Sequence, residues 1–99
     1  MHMLATLKIR SGKMGEAFER IGAMVPLIEK QVGWKLVGGF HSLSGHTHTL
    51  VHLWDLGDSY DRARAGLTKA PDLQKVIQPI LELLEEEVTM YLEKTPYSH

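Results

Sequence analysis

"WKLVGGFHSLSGHTHTLVHLW", residues 34–54, decides how the rest of this chain is arranged. Two strand-like runs flank Ser44-Gly45, and two such runs separated by two turn residues read as a hairpin, the glycine supplying a positive φ. With that turn Leu43 opposes His46, and the register continues as His41–His48, Gly39–Leu50, Val37–His52 and Lys35–Trp54. Directly opposed side chains share a face, so these ten residues lie together. The reverse face carries Trp34, Leu36, Phe40, Val51 and Leu53 and is the more apolar of the two.

Outward from the hairpin, "MLATLKI" (3–9) alternates with a period of two and reads as a strand. Ser11 offers an N-cap to the segment that follows. There Met14, Phe18, Ile21, Val25 and Ile28 recur at helical spacing until Val32-Gly33 ends it. Pro26 removes an interior hydrogen bond, which predicts a kink near residues 22–26. After the hairpin, Asp58 or Ser59 caps a second helical region, interrupted at Pro71 and resuming with Leu73, Val76, Ile77, Ile80 and Leu84. Pro79 fits poorly there. "VTMYLEK" (88–94) alternates again. The order is β-α-β-β-α-β, the ferredoxin-like split βαβ arrangement. This is an α+β fold, with both helices on one face of a four-stranded antiparallel sheet.

The 99 residues form a single domain, 1–99, and the charged fraction of 23% and hydrophobic fraction of 43% are those of a globular protein. A net charge of −1 gives no general attraction to nucleic acid or anionic membrane. Without cysteine there is no disulfide, thiolate nucleophile or Cys-based zinc site. No apolar run approaches a membrane span and no signal layout opens the chain, so the expected compartment is the cytoplasm.

One face of the predicted sheet is covered by helices; the other is bare. The apolar hairpin face, joined to Met3, Ala5, Leu7, Ile9, Val88, Met90 and Leu92, is the expected floor for the helices. The histidine face, extended by Leu4, Thr6, Thr89 and Tyr91, is too polar for a dry core. It is also too apolar to stay wet as one patch. The expected resolution is that it meets a second copy of the chain, giving a homodimer.

That face holds the candidate chemistry. His41, His46 and His48 are weak candidates for a metal, with a polar hairpin tip as the plainer reading. His52, four strand residues from His48 and so about 13 Å away, cannot share their ion. His52 itself, between Leu50 and Trp54, is the residue to test as an acid, base or ligand contact, its partner being Thr6, Tyr91 or the second subunit. Trp54 is a candidate pocket wall, or the partner of a cation–π contact with Lys35. Arg62 and Arg64 pair with nearby aspartates or recognise an anion. Glu85, Glu86 and Glu87 read as a solvated helix end. No Ser-His-Asp order, phosphate-cradling glycine loop or helical His-Glu-x-x-His occurs, so no cofactor is expected.

"Gly45-x-x-His48-x-x-x-His52-x-Trp54", with "GWKLVGGF" before it and "SYDRARAGLTKAPDLQ…IQPIL" after it, resembles the NIPSNAP family of the dimeric α+β barrel superfamily. The resemblance runs to "PYS" at 96–98, and Arg62 matches the family's usual arginine. The chain departs from the pattern at His48, where asparagine is common, and at Asp55 and Leu73, where aromatics are. Membership implies a homodimer whose two sheets close into a barrel, without implying a settled reaction. The expectation is a small homodimer of undetermined biochemistry binding a small organic ligand by the sheet, through His48, His52, Trp54, Tyr91 and Arg62. The alternative is a cofactor-independent or haem-linked monooxygenase acting on an aromatic or polycyclic substrate, as in superfamily relatives.

Overall fold

The computed structural model describes residues 1–45, 47–57 and 71–98. Their elements are β1 (His2–Ile9), α1 (Met14–Gln31), β2 (Lys35–His41), β3 (Thr49–Asp55), α2 (Pro71–Leu81) and β4 (Leu84–Leu92). The strands form one antiparallel sheet in the order β2-β3-β1-β4, so β3 and β1 are central and β2 and β4 are edges. The expected α+β order is present. The first half of the second helical region and its aspartate cap fall outside the described residues.

Helix α1 runs unbroken from Met14 through Pro26 to Gln31. Ser11 does not cap it: the chain turns through Gly12 (φ 80°), Lys13 donates to the Arg10 carbonyl at 3.0 Å, and Lys13 stands at the N-cap without a side-chain bond. At the other end Val32 and Gly33 both donate to the Ile28 carbonyl, at 2.9 and 3.2 Å. Gly33 takes φ 84°, the left-handed conformation that glycine adopts at least cost. Pro71 opens α2, where its missing N–H is harmless, and Pro79 lies inside the same helix near its end. Strand β4 starts at Leu84, so Glu85, Glu86 and Glu87 are exposed strand residues rather than a helix end.

Two of the hairpin expectations are overturned. The two-residue turn is replaced by a longer connection, 42–48, and the register moves by two: Gly39 opposes His52 and His41 opposes Leu50. Ser42 is the cause. Its backbone N–H donates to the Thr49 carbonyl at 3.0 Å and its Oγ accepts from Thr49 N–H at 3.3 Å, closing the ladder before Ser44-Gly45 is reached. A bulge at Val37 then lets Leu36 face Trp54 and Lys35 face Asp55, so the Lys35–Trp54 contact is not made.

The second correction concerns faces. Strand β1 pairs Met3 with Trp54, Ala5 with His52 and Leu7 with Leu50. Opposed residues share a face, so Leu50, His52 and Trp54 lie with the inward set of β1, beneath their own helices. Met3, Ala5, Trp54, Trp34 and Leu56 pack with Ile28 of α1 and Leu73 of α2. Leu7, Ile9 and Leu50 pack with Ala17 and Ile21 of α1 and Ile80 of α2. Reading β2 and β3 alone cannot settle which face is covered; the pairing with β1 does. The bare face therefore carries Leu4, Thr6, Val51, Leu53, Phe40, Val88 and Met90. Among the described residues no helix is long and apolar enough to cross a membrane.

Candidate functional site

The candidate site is built around His52. Alternation along β3 turns its imidazole toward the helices, and its strand neighbours are small: Ala5 on β1 and Gly39 on β2. The ring lies beside Gly39, where an added Cβ would be in ordinary van der Waals contact with it. A Cβ on Gly39 would stand 3.4 Å from His52 Cδ2 and 3.9 Å from its Nε2. A glycine inside a strand commonly marks such a close approach. His52 is only 7% exposed, and burial lowers its pKa from the ordinary histidine value by penalising the cation. It is a neutral imidazole at pH 7, with one ring nitrogen as donor and the other as acceptor.

Above Gly39 a cleft of about 230 Å³ opens between α1 and β2, with His52 in its lining. Ile21, Gly22 and Val25 form its helix side, and Leu36 and Leu50 line the sheet side. Gly22 adds room, since a Cβ there would meet nothing within 4 Å. Phe18 and His41 also line the cleft, their ring centroids 5.6 Å apart and tilted by 59°. Among the described residues the lining contains no Asp, Glu, Lys or Arg, so the two imidazoles are its polar side chains.

The sequence-predicted residues are only partly brought together. His52 lines the cleft. Trp54 is buried in the apolar cluster, its ring 6.1 Å from Trp34 in an edge-on contact, and is no wall of the cleft. Tyr91 pairs with Met3 on β4, with β1 and β3 between it and the cleft, and is half exposed. Thr6 points to the bare face, so it cannot partner His52. His48 is exposed in the 42–48 connection with φ 58°, its carbonyl accepting from Ile9 N–H at 2.7 Å. His41 faces Leu50 rather than His48, which separates two of the three weak metal candidates; the third, His46, and Arg62 lie outside the described residues. No group of three potential metal ligands occurs among the described residues.

Sequence reading missed His41 and Gly39 as parts of one cleft with His52. The signal was Gly39, a glycine inside the β2 run that stands opposite His52. A second cavity of about 560 Å³ lies on the bare face between Thr6, Lys8, Thr49 and Glu86. It is larger, but partners already engage two of its polar side chains: Lys8 pairs with Glu85 at 3.6 Å, and Thr49 Oγ1 donates to the Thr47 carbonyl at 3.3 Å. The smaller cleft, holding the buried titratable group, is the better chemical candidate.

A model of the NIPSNAP family matches residues 2–99. A crystal structure of a NIPSNAP family protein from Agrobacterium tumefaciens is 25% identical, with a TM-score of 0.84 over 98% of this chain and 94% of that one. An uncharacterised NIPSNAP domain protein from Burkholderia xenovorans is 23% identical, with a TM-score of 0.85 over 99% and 97%. The same fold, at 18% identity and a TM-score of 0.73 over 95% of both chains, occurs in a Bordetella bronchiseptica protein provisionally assigned to antibiotic biosynthesis monooxygenases. A comparison with the curated proteins finds no match.

Proposed function

The chain belongs to the NIPSNAP family, and from that premise we propose that it is a homodimeric binding protein for a small organic molecule, taken into the cleft between α1 and β2. The observation that carries this reading is His52: a buried, neutral imidazole lining an apolar cleft, with its strand partner reduced to glycine. A concave, mostly apolar cleft with a few convergent polar groups is the usual form of a ligand site. At about 230 Å³ the cleft lies below the roughly 300–1,000 Å³ of sites for drug-sized ligands, so its ligand is small.

The homodimer is supported by the bare face. Leu4, Val51, Leu53, Val88 and Met90 adjoin one another there, with Phe40 64% exposed at the edge. A contiguous apolar sheet face is costly in water and is self-complementary under a two-fold axis. Its occupant is a second copy, back to back with the first.

The second reading, a cofactor-independent monooxygenase, is favoured by the same imidazole. A neutral His52 can accept the proton of a bound phenol and so raise its reactivity toward oxygen. At about 230 Å³ the cleft suits a single-ring substrate better than a polycyclic one or a porphyrin.

The test is titration with phenol, followed by the ring resonances of His52 in NMR, on wild type and on Gly39→Val. Phenol is expected to shift His52 in wild type, and the valine, which fills the floor of the cleft, to abolish the shift while the fold persists. A wild-type His52 resonance indifferent to phenol would sink the proposal. Oxygen uptake with hydroquinone, lost in His52→Gln, would favour the enzyme over the binding protein.

A further inference from the structure

His52 is 7% exposed, yet no hydrogen bond reaches its ring among the described residues. Burial alone shifts its titration; no neighbouring charge or hydrogen bond contributes. Its nitrogens are not sealed off either. The unpartnered polar side-chain atom shut away from solvent among the described residues is Trp34 Nε1. The open surface of the His52 ring is therefore the cleft that it lines, and its Nε2 lies near Gly39, another lining residue. The elements around the ring bring no charge. Strand β1 sets Ala5 beside it, α1 faces the cleft with Ile21, Gly22 and Val25, and α2 lines none of it. From β2 comes the one other titratable lining residue, His41, which is exposed.

We infer that the cleft takes a small apolar monocarboxylic acid together with one proton, shared between the acid and His52. This rests on reading the α1–β2 cleft as the ligand site. Charge decides the stoichiometry. With no Lys or Arg in the lining, a carboxylate beside a neutral imidazole would be an unpaired buried ion, which is expensive. One proton taken from solvent removes the net charge, whichever side of the bond holds it. The match of acid and base decides the class. In water a carboxylic acid titrates near about 4.3 and imidazole near about 6.5. Burial raises the acid and lowers His52, so the two converge and share the proton in one charge-assisted bond. A phenol starts near about 10 and burial drives it further from the imidazole, leaving an ordinary hydrogen bond. An ammonium would be an unpaired cation, with no Asp or Glu in the lining to meet it. The volume of about 230 Å³ suits one ring or a short branched chain as the apolar part.

The probes are benzoate and benzamide, alike in shape but not in charge, titrated into the protein and followed by the ring resonances of His52. Between about pH 6.5 and about pH 8, benzoate affinity in wild type is expected to fall about ten-fold per pH unit, the mark of one proton taken up. Benzamide affinity should stay level over the same range. His52→Gln should weaken benzoate roughly ten- to hundred-fold, the loss of a charge-assisted bond, and benzamide by much less. The wild-type slope needs no variant, so it stands even if the glutamine disturbs the cleft. A benzoate affinity that is level with pH, or undiminished in His52→Gln while benzamide still binds, would overturn the inference and leave the cleft as a site for neutral molecules. So would phenol moving His52 where benzoate does not. If benzoate, benzamide and phenol all leave His52 unmoved, the cleft reading itself fails.

Discussion

His52 couples the cleft to the stability of the fold. In the unfolded chain its imidazole titrates near 6.5, whereas burial holds it lower in the native state. Above that pH both states are neutral and the group contributes no pH dependence. As the pH falls through 6.5 the unfolded chain takes up the proton first, so stability is lost until the native pKa is passed. The urea midpoint is expected to fall on acidification from about pH 7.5 to 5.5, and His52→Gln to flatten part of that slope. A midpoint slope identical in the two proteins would show that His52 is not proton-poor. This residue was legible in the sequence because a lone histidine between Leu50 and Trp54 has to be reconciled with its apolar neighbours. Trp54 was not: its role depends on Trp34, and their edge-on contact arises through tertiary packing. Gly39 shows the same limit, since its purpose appears only once His52 is set opposite it.

The elements were mostly legible, their junctions less so. Period-two alternation located β1, and the i, i+3, i+4 recurrence located α1. What local pattern could not weigh was competition. Ser42 closes the β2–β3 ladder with its backbone and side chain before the glycine turn is reached, and Val37 takes up one extra residue as a bulge. The run of three glutamates, polar enough for a helix end, is drawn into β4 because β1 supplies ladder partners opposite Glu86 and Glu87. Proline is the other case: α1 runs through Pro26 although Gly22 loses its hydrogen-bond donor there, because packing of Ile21 and Ile28 holds both sides. Pro26→Ala should therefore stabilise the protein. An interior proline costs a helix about 3 kcal/mol, and the stiffer unfolded chain returns part of that, so a net gain of about 1–2 kcal/mol is expected in urea unfolding. A loss of stability would mean that the ring itself is packed.

On the scale of the whole molecule, the sheet has one face under α1 and α2 and one face open. The association expected from the sequence is now proposed for the opposite side of the sheet from the histidines. Val88, opposite Thr6 on the bare face, is half exposed in the single chain and touches none of the cleft. Val88→Asp is expected to convert a dimer into a species that elutes near the monomer mass of 11.2 kDa. It should also remove any dependence of melting temperature on protein concentration. Wild type eluting at the monomer mass would end the proposal, whatever the variant does. Because the imidazoles and the bare apolar face occupy opposite sides of one sheet, recognition of a guest molecule and pairing of subunits draw on largely separate side chains, Phe40 at the β2 edge being the residue that borders both. A lineage built on this plan can exchange its guest without renegotiating its partner, and an engineer can make a lone subunit that still reports on what it holds.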